Sequence, residues 1–400
     1  NNYLLVATKS EAYLYDALFN QIDSFFVEDP FDTNFTSVTL NEGEIFIGTE
    51  EFGVLSTSIN NSLGYEELHP EGPLRNDPFS IDAYNGDVWI SYGEYDLDYN
   101  PYPLTRRGLS YLSEETWRNY SYDSIVNSVN QNVFELNSIS INPQNKNQVF
   151  ISSFFHGLLE INDAEITTIY NNTNSGLESL ILPSNPNYTD IRVSETAFDD
   201  AGLLWSVTSR IERPLKSFNP ASGQWNSYSF SSIFQDPLND QLGYSDLVIG
   251  NDGTKWIGTY INGLIGFNTN GNNIKKIVDE TSSNLPSTYV RALAIDNRNQ
   301  LWIGTVNGLR VLYNTSWFFN DENVTTQPII ILEDGIPKEL LERQYITDIK
   351  VDGSNNKWIG TIGSGVFYFT SDGQETIYHF TTDNSPLPSN SIKEIAIDNI

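Results

Sequence analysis

The chain has 400 residues, and 21 Lys+Arg against 52 Asp+Glu give a formal net charge of −31. With 39% apolar and 13% aromatic residues it is too rich in core-forming side chains for a disordered acidic chain, so the charge lies on a folded surface ill suited to gripping nucleic-acid phosphates. Cysteine is absent, which excludes disulfide frameworks, zinc–thiolate sites and thiol catalysis.

The first predicted element is a strand, Tyr3-Leu4-Leu5-Val6-Ala7-Thr8, with no signal peptide ahead of it. Methionine is absent, so the sequence reads as a fragment or a mature form. Segments of the same kind follow in order: Ile45-Phe46-Ile47-Gly48-Thr49, Val88-Trp89-Ile90-Ser91-Tyr92, Val149-Phe150-Ile151-Ser152-Ser153 and Leu204-Trp205-Ser206-Val207-Thr208. The last three are the most alike: Lys255-Trp256-Ile257-Gly258-Thr259, Leu301-Trp302-Ile303-Gly304-Thr305 and Lys357-Trp358-Ile359-Gly360-Thr361. The central aromatics are 43 to 61 residues apart, a period that belongs to solenoids or propellers.

Each copy has the same surroundings. An apolar strand and an Asn/Asp/Gly turn precede it, as in Val290–Asn297. A Gly-Leu pair and another strand follow, as in Gly308–Tyr313, and then a polar fourth strand such as Thr376–Phe380. The pattern predicts an all-β propeller of four-stranded blades. The repeated Trp is expected to fill the wedge between blades, and the following Gly to permit a bulge or a close backbone approach. A helical period competes only over 336–345. The longest apolar run, Pro328–Leu332, is far short of the ~20 residues of a membrane helix, so no transmembrane segment is expected.

Strand counting places seven complete blades in residues 31–390. Residues 1–30 start at a second strand, and residues 391–400 supply a first strand. These are complementary parts of one further blade. Either they close a single eight-bladed ring, or the chain holds a seven-bladed ring with its ends in a neighbouring propeller.

Catalytic machinery is not legible. His69, His156 and His379 fall in different units without metal-ligand spacing, and no nucleophile elbow or phosphate loop is present. Among 52 acids the sequence singles out no glycosidase pair. Asp96-Leu97-Asp98-Tyr99-Asn100 begins like a calcium loop, but Pro101 replaces the required Gly and Arg107 the bidentate Glu. The chain is therefore read as non-enzymatic, with no metal and no cofactor. Loops from second to third strands all emerge on one end of a propeller. They carry Tyr95, Tyr99, Tyr102, Phe154, Phe155, Arg106, Arg107, Arg210, Arg213 and Lys216. Aromatic rings stack on sugars and Arg forks grip phosphate or carboxylate, so these loops are the candidate surface for an anionic glycan. The competing reading is that the cations neutralise nearby acids and the tyrosines pack the loops.

Asp296–Leu312 and Asp352–Phe369 resemble the two-component-regulator propeller repeat, D-x-x-x-x-L/K-W-I-G-T-x-x-G-L/V. Longer stretches resemble the PorZ-like components of type IX secretion systems, among them Tyr99-Asn100-Pro101-Tyr102-Pro103-Leu104, Asn262-Gly263-Leu264-Ile265-Gly266-Phe267 and Val351–Trp358. That family carries two seven-bladed propellers and a C-terminal β-sandwich, so the resemblance implies that this chain is the second-propeller region. It also implies a cell-surface, outer-membrane-associated scaffold that holds a sortase-type partner and presents anionic lipopolysaccharide. The alternative is the periplasmic sensor ectodomain of a hybrid two-component system binding an oligosaccharide. A polysaccharide-degrading propeller would need an acid pair that the sequence does not reveal.

Overall fold

The computed structural model describes residues 3–26, 33–50, 52–59, 61–68, 71–333 and 335–398. His69 and the expected boundary at residue 31 lie outside them. The described residues form an all-β chain of antiparallel sheets with only short helical turns, the longest being Tyr122–Val129.

The chain divides into two compact units, residues 1–78 with 109–120 and residues 79–108 with 121–400. The first unit holds a three-stranded sheet (Leu4–Ala7, Glu11–Tyr15, Gln21–Phe26) and a four-stranded one (Phe35–Asn41, Glu44–Thr49, Val54–Ser58, Asn61–Leu68). Ala12, Leu14, Phe25, Phe35, Ile45, Ile47 and Leu55 form their common core. The hairpin Leu109–Ser113 with Thr116–Tyr120 completes this unit.

The second unit begins with the hairpin Ser80–Tyr84 and Asp87–Ser91. Sheets led by Leu136–Ile141, Val193–Phe198, Tyr244–Ile249, Val290–Ile295 and Ile346–Val351 follow. These first strands lie next to one another in chain order. Carboxylates tie several of them together across the gaps. The Ile141 amide donates to Asp82 Oδ2 at 3.0 Å, and the Leu293 amide to Asp246 Oδ2 at 2.6 Å. The Ile395 amide donates to Asp348 Oδ2 at 2.7 Å, and the Ile81 amide to Glu394 Oε2 at 2.7 Å. Residues 391–398 therefore lie between Ile346–Val351 and Ser80–Tyr84, and the succession returns to its start.

The repeat residues have physical tasks. Trp205, Trp256 and Trp302 are almost fully buried. Trp302 packs with Leu309 and Val311 of its own sheet and with Ile346, Ile349 and Ile359 of the next, so it fills the wedge between sheets. The Gly two residues on faces the first strand of the next sheet. A Cβ on Gly258 would lie 2.9 Å from the Val290 carbonyl oxygen, one on Gly304 2.5 Å from Ile346 Cγ2, and one on Gly360 2.9 Å from Ile392 Cγ2. The partner strand shifts register opposite each of them. The next Thr closes the hairpin, its hydroxyl donating to the Gly263, Gly308 or Gly365 carbonyl at 2.8–2.9 Å.

The expected four-stranded pattern is broken in one stretch. The sheet led by Val290–Ile295 has three strands, and the residues after it form a separate hairpin, Ile330–Glu333 with Ile336–Glu339. The helical period over 336–345 is thus strand and turn. Tertiary packing decides this, since Ile329 and Leu340 at the two ends of the hairpin enter the Trp302 core.

Candidate functional site

The loop 92–107 follows the second strand Asp87–Ser91, and buried Glu135 anchors it. The Glu135 carboxylate accepts from the amides of Glu94 and Thr105 and from the Thr105 hydroxyl. Burial raises the Glu135 carboxyl above its ordinary range, against the pull of those donors. Gly93 allows the approach, since a Cβ there would lie 2.2 Å from the Leu136 amide nitrogen. Sequence reading missed Glu135, because a lone Glu before a strand carries no spacing signal.

The tip of the loop is a carboxylate-capped turn. Asp96 Oδ1 accepts from the amides of Asp98 at 2.9 Å and Asn100 at 2.8 Å. The calcium-like spacing is therefore spent on the backbone, and no group of three acid or His ligands is assembled among the described residues.

Tyr99 is buried rather than presented to a ligand. Its ring stacks on Tyr95 at 4.7 Å and lies 5.7 Å from Tyr260 and 6.3 Å from Tyr289. It covers Gly243, where a Cβ would fall 2.1 Å from the ring, and its carbonyl accepts from Arg192 Nη1 at 3.3 Å. Tyr95 is half-buried and meets Phe154 at 4.6 Å. The loop tyrosines thus pack the loop down across neighbouring sheets.

The other predicted residues each make local contacts of their own. Exposed Tyr102 shares a hydroxyl contact with Tyr188 and packs edge-on to Phe155 at 5.9 Å, and Phe155 itself is buried. Arg106 is exposed, its guanidinium 5.9 Å over the Tyr122 ring. Half-buried Arg107 lies 3.7 Å from Glu94. Half-buried Arg210 donates to the Leu238 carbonyl at 2.8 Å, and burial with neighbouring Arg192 lowers its pKa. Exposed Arg213 pairs with Glu178 at 3.0 Å. Lys216 is fully enclosed, held by Glu178 at 2.5 Å and Ser227 at 3.0 Å. Lys216, Tyr99 and Phe155 therefore offer a ligand almost no surface. Tyr102, Arg106 and Arg213 do.

The axis between the first strands holds charge that the sequence did not reveal. A cavity of about 260 Å³ is bordered by Glu195, Asp246, Lys350 and Glu394, and a smaller one beside it adds Asp348 and Arg291. Register explains the convergence, since Glu195, Asp246 and Asp348 occupy the same position in their strands, opposite Val207, Gly258 and Gly360. Burial raises Glu195 well above the carboxylate range and pushes Asp246 up to about 6 and Glu394 to about 7. Burial alone would lower Lys350, but Asp348, Glu394 and Asp246 together carry it above its ordinary value. The axis is a compensated polar core.

The described residues include no helix long and apolar enough to cross a membrane. The Two component regulator propeller model matches residues 284–307, which include the strands Val290–Ile295 and Leu301–Thr305. No curated protein matches the chain. Among solved structures, PorZ, an essential bacterial surface component of the type-IX secretion system of Porphyromonas gingivalis, is 20% identical with a TM-score of 0.79. The match covers 99% of this chain and 53% of PorZ, so the chain spans about half the length of that protein. The extracellular domain of a hybrid two-component system of B. thetaiotaomicron is 16% identical over 97% of this chain and 58% of its own, with a TM-score of 0.39. The chain is PorZ-like in fold and carries a two-component-regulator propeller repeat.

Proposed function

We propose that this chain is part of a non-enzymatic surface scaffold of a type IX secretion attachment complex, presenting anionic lipopolysaccharide to a sortase. The observation that carries this reading is the likeness to PorZ over nearly the whole chain. Its second unit is read as a seven-membered ring, six sheet-bearing first strands plus residues 391–398, which agrees with the Ile395–Asp348 and Ile81–Glu394 hydrogen bonds. The anionic glycan is assigned to the exposed Tyr102, Arg106 and Arg213, with the half-buried Arg210 and Arg107 as further cations. Arg supplies the fork for phosphate and Tyr the stacking plane. The location that follows is the cell surface, at the outer membrane.

The test is binding of the protein to anionic and neutral lipopolysaccharide fractions from its own outer membrane at two salt concentrations. Selective, salt-weakened binding to the anionic fraction is expected. Equal binding to both fractions, or none, overturns the glycan assignment. The repeat at 284–307 favours a second reading, a periplasmic sensor ectodomain that binds an oligosaccharide. Under that reading neutral oligosaccharides bind and salt has no effect.

A further inference from the structure

The end of the second unit that bears the loop 92–107 carries a second surface, chemically opposite to those exposed cations. Tyr260, in a loop after a second strand, meets Tyr289 at 5.0 Å with the rings perpendicular. Tyr289 meets Tyr345 at 6.4 Å, and Tyr99 lies beneath the first two. All three outer rings are half-buried, so each keeps one part toward solvent. The acidic loop tip leans on this arc, with the Tyr260 hydroxyl donating to Asp98 Oδ1. Asp96 and Asp98 are both exposed. Between and beside them Leu97 is 70% and Ile261 39% exposed. Arg343, two residues before Tyr345, is paired with Glu342 at 3.3 Å.

This surface joins π faces, fixed carboxylates and exposed aliphatic groups. Ring faces attract cations through their quadrupole, and an adjacent carboxylate adds charge that falls on the same ligand. Arg291 lies with Tyr95 and Glu195 along the smaller axial cavity, where the Glu195 carboxylate favours its charge against burial. A chain of net charge −31 also repels acidic partners and steers basic ones.

We propose that the arc Tyr260–Tyr289–Tyr345 with Asp96 and Asp98 is a docking surface for a basic protein segment, an Arg side chain entering the arc while Leu97 and Ile261 cover its aliphatic stem. This surface is separate from the residues assigned to the glycan and does not depend on that assignment. A guanidinium suits the site better than an ammonium, because it stacks on aromatic planes and is more weakly hydrated.

The probe is the peptide acetyl-Gly-Arg-Gly-amide, titrated into the whole chain labelled at Leu and Ile methyl groups and followed by NMR. Controls are the citrulline peptide, which keeps the shape without the charge, and methyl β-galactoside. Shifts at Leu97 and Ile261 with the Arg peptide, weakened by salt and at least ~5-fold weaker for citrulline, are expected. Asp98→Asn should weaken binding by on the order of five-fold, and Tyr260→Ala by more. Both sites are exposed or half-buried, and unchanged shifts elsewhere report that each variant is folded. Equal binding of the citrulline peptide, binding of the galactoside in its place, no shift at millimolar Arg peptide, or full affinity in both variants overturns the proposal.

Discussion

Lys357 reaches from one sheet into the wedge of the preceding one. Its Nζ lies 3.2 Å from Asp296 Oδ2 and 4.6 Å over the Trp302 ring, and both charged side chains are fully enclosed. The carbonyls of Asn355 and Ser371 take two more of its protons at 2.7 Å each. Asp296 also accepts from the Trp302 indole at 3.3 Å. A related arrangement lies two wedges earlier, where Lys255 stands 3.7 Å over Trp205 and the Trp205 indole donates to Asp199 at 2.7 Å. Lys-Trp in the repeat is thus a staple between neighbouring sheets.

Removing one partner of a buried ion pair leaves the other uncompensated. Lys357→Met is expected to destabilise the chain by roughly 3 kcal/mol. Asp296→Asn with Lys357→Met should recover part of that loss, since both charges are then gone. Denaturant midpoints of the two variants check this. Equal losses in the single and double variants would contradict the pairing.

The close approach at the repeat glycines leads to a second expectation. Gly304→Val places branched carbons into Ile346, whose Cγ2 already lies 2.5 Å from the position of a Cβ. The adjoining strands must separate, with a loss of roughly 1–3 kcal/mol. Gly353, around whose Cβ position nothing lies within 4 Å, is the control. Gly353→Ala should change thermal stability much less.

The axial carboxylates determine a pH dependence. Glu394, raised to about 7, and Asp246, raised to about 6, keep protons in the folded state that the unfolded chain has already released. Their contribution is fully present below the unfolded values near 4 and is lost as pH rises toward 7. The wild-type unfolding midpoint should therefore fall between pH 5 and pH 7.5. In Glu394→Gln that fall should be smaller. Parallel profiles for the two proteins would remove Glu394 as its source.

The predicted basic residues separate into surface and scaffold, and mutation should separate them too. Arg106→Ala with Arg213→Ala is expected to weaken binding to anionic lipopolysaccharide while leaving the unfolding midpoint nearly unchanged, because Arg106 and Arg213 are exposed. Lys216→Ala should lower the midpoint by roughly 3 kcal/mol in stability, since it strips the enclosed cation from Glu178 and Ser227. Binding isotherms and melting curves on the same samples distinguish the two effects.

Much of the fold was legible because the repeat repeats its physics. Trp fills a wedge, Gly lets the next strand pass, and Thr closes a hairpin, so the period alone names the all-β class and most strands. The exceptions were also written locally, though only structure interprets them. Gly250 stands six residues before Trp256, where Asp296 stands before Trp302, and Leu301 replaces the Lys of the following sheet. The Trp256 indole nitrogen accordingly finds no hydrogen-bond partner among the described residues.

What the sequence by itself determined is the strand, because strand and turn chemistry act between residues close along the chain. The tertiary structure decided which charges are free. Tyr99 and Lys216 looked like ligand groups from loop position, yet Gly243 and Glu178, 144 and 38 residues away in sequence, draw them inward. Glu195, Asp246 and Glu394 looked like ordinary strand acids, yet closure brings them to one axis. Such encounters depend on how sheets are placed around one another, and long-range placement has no local signature.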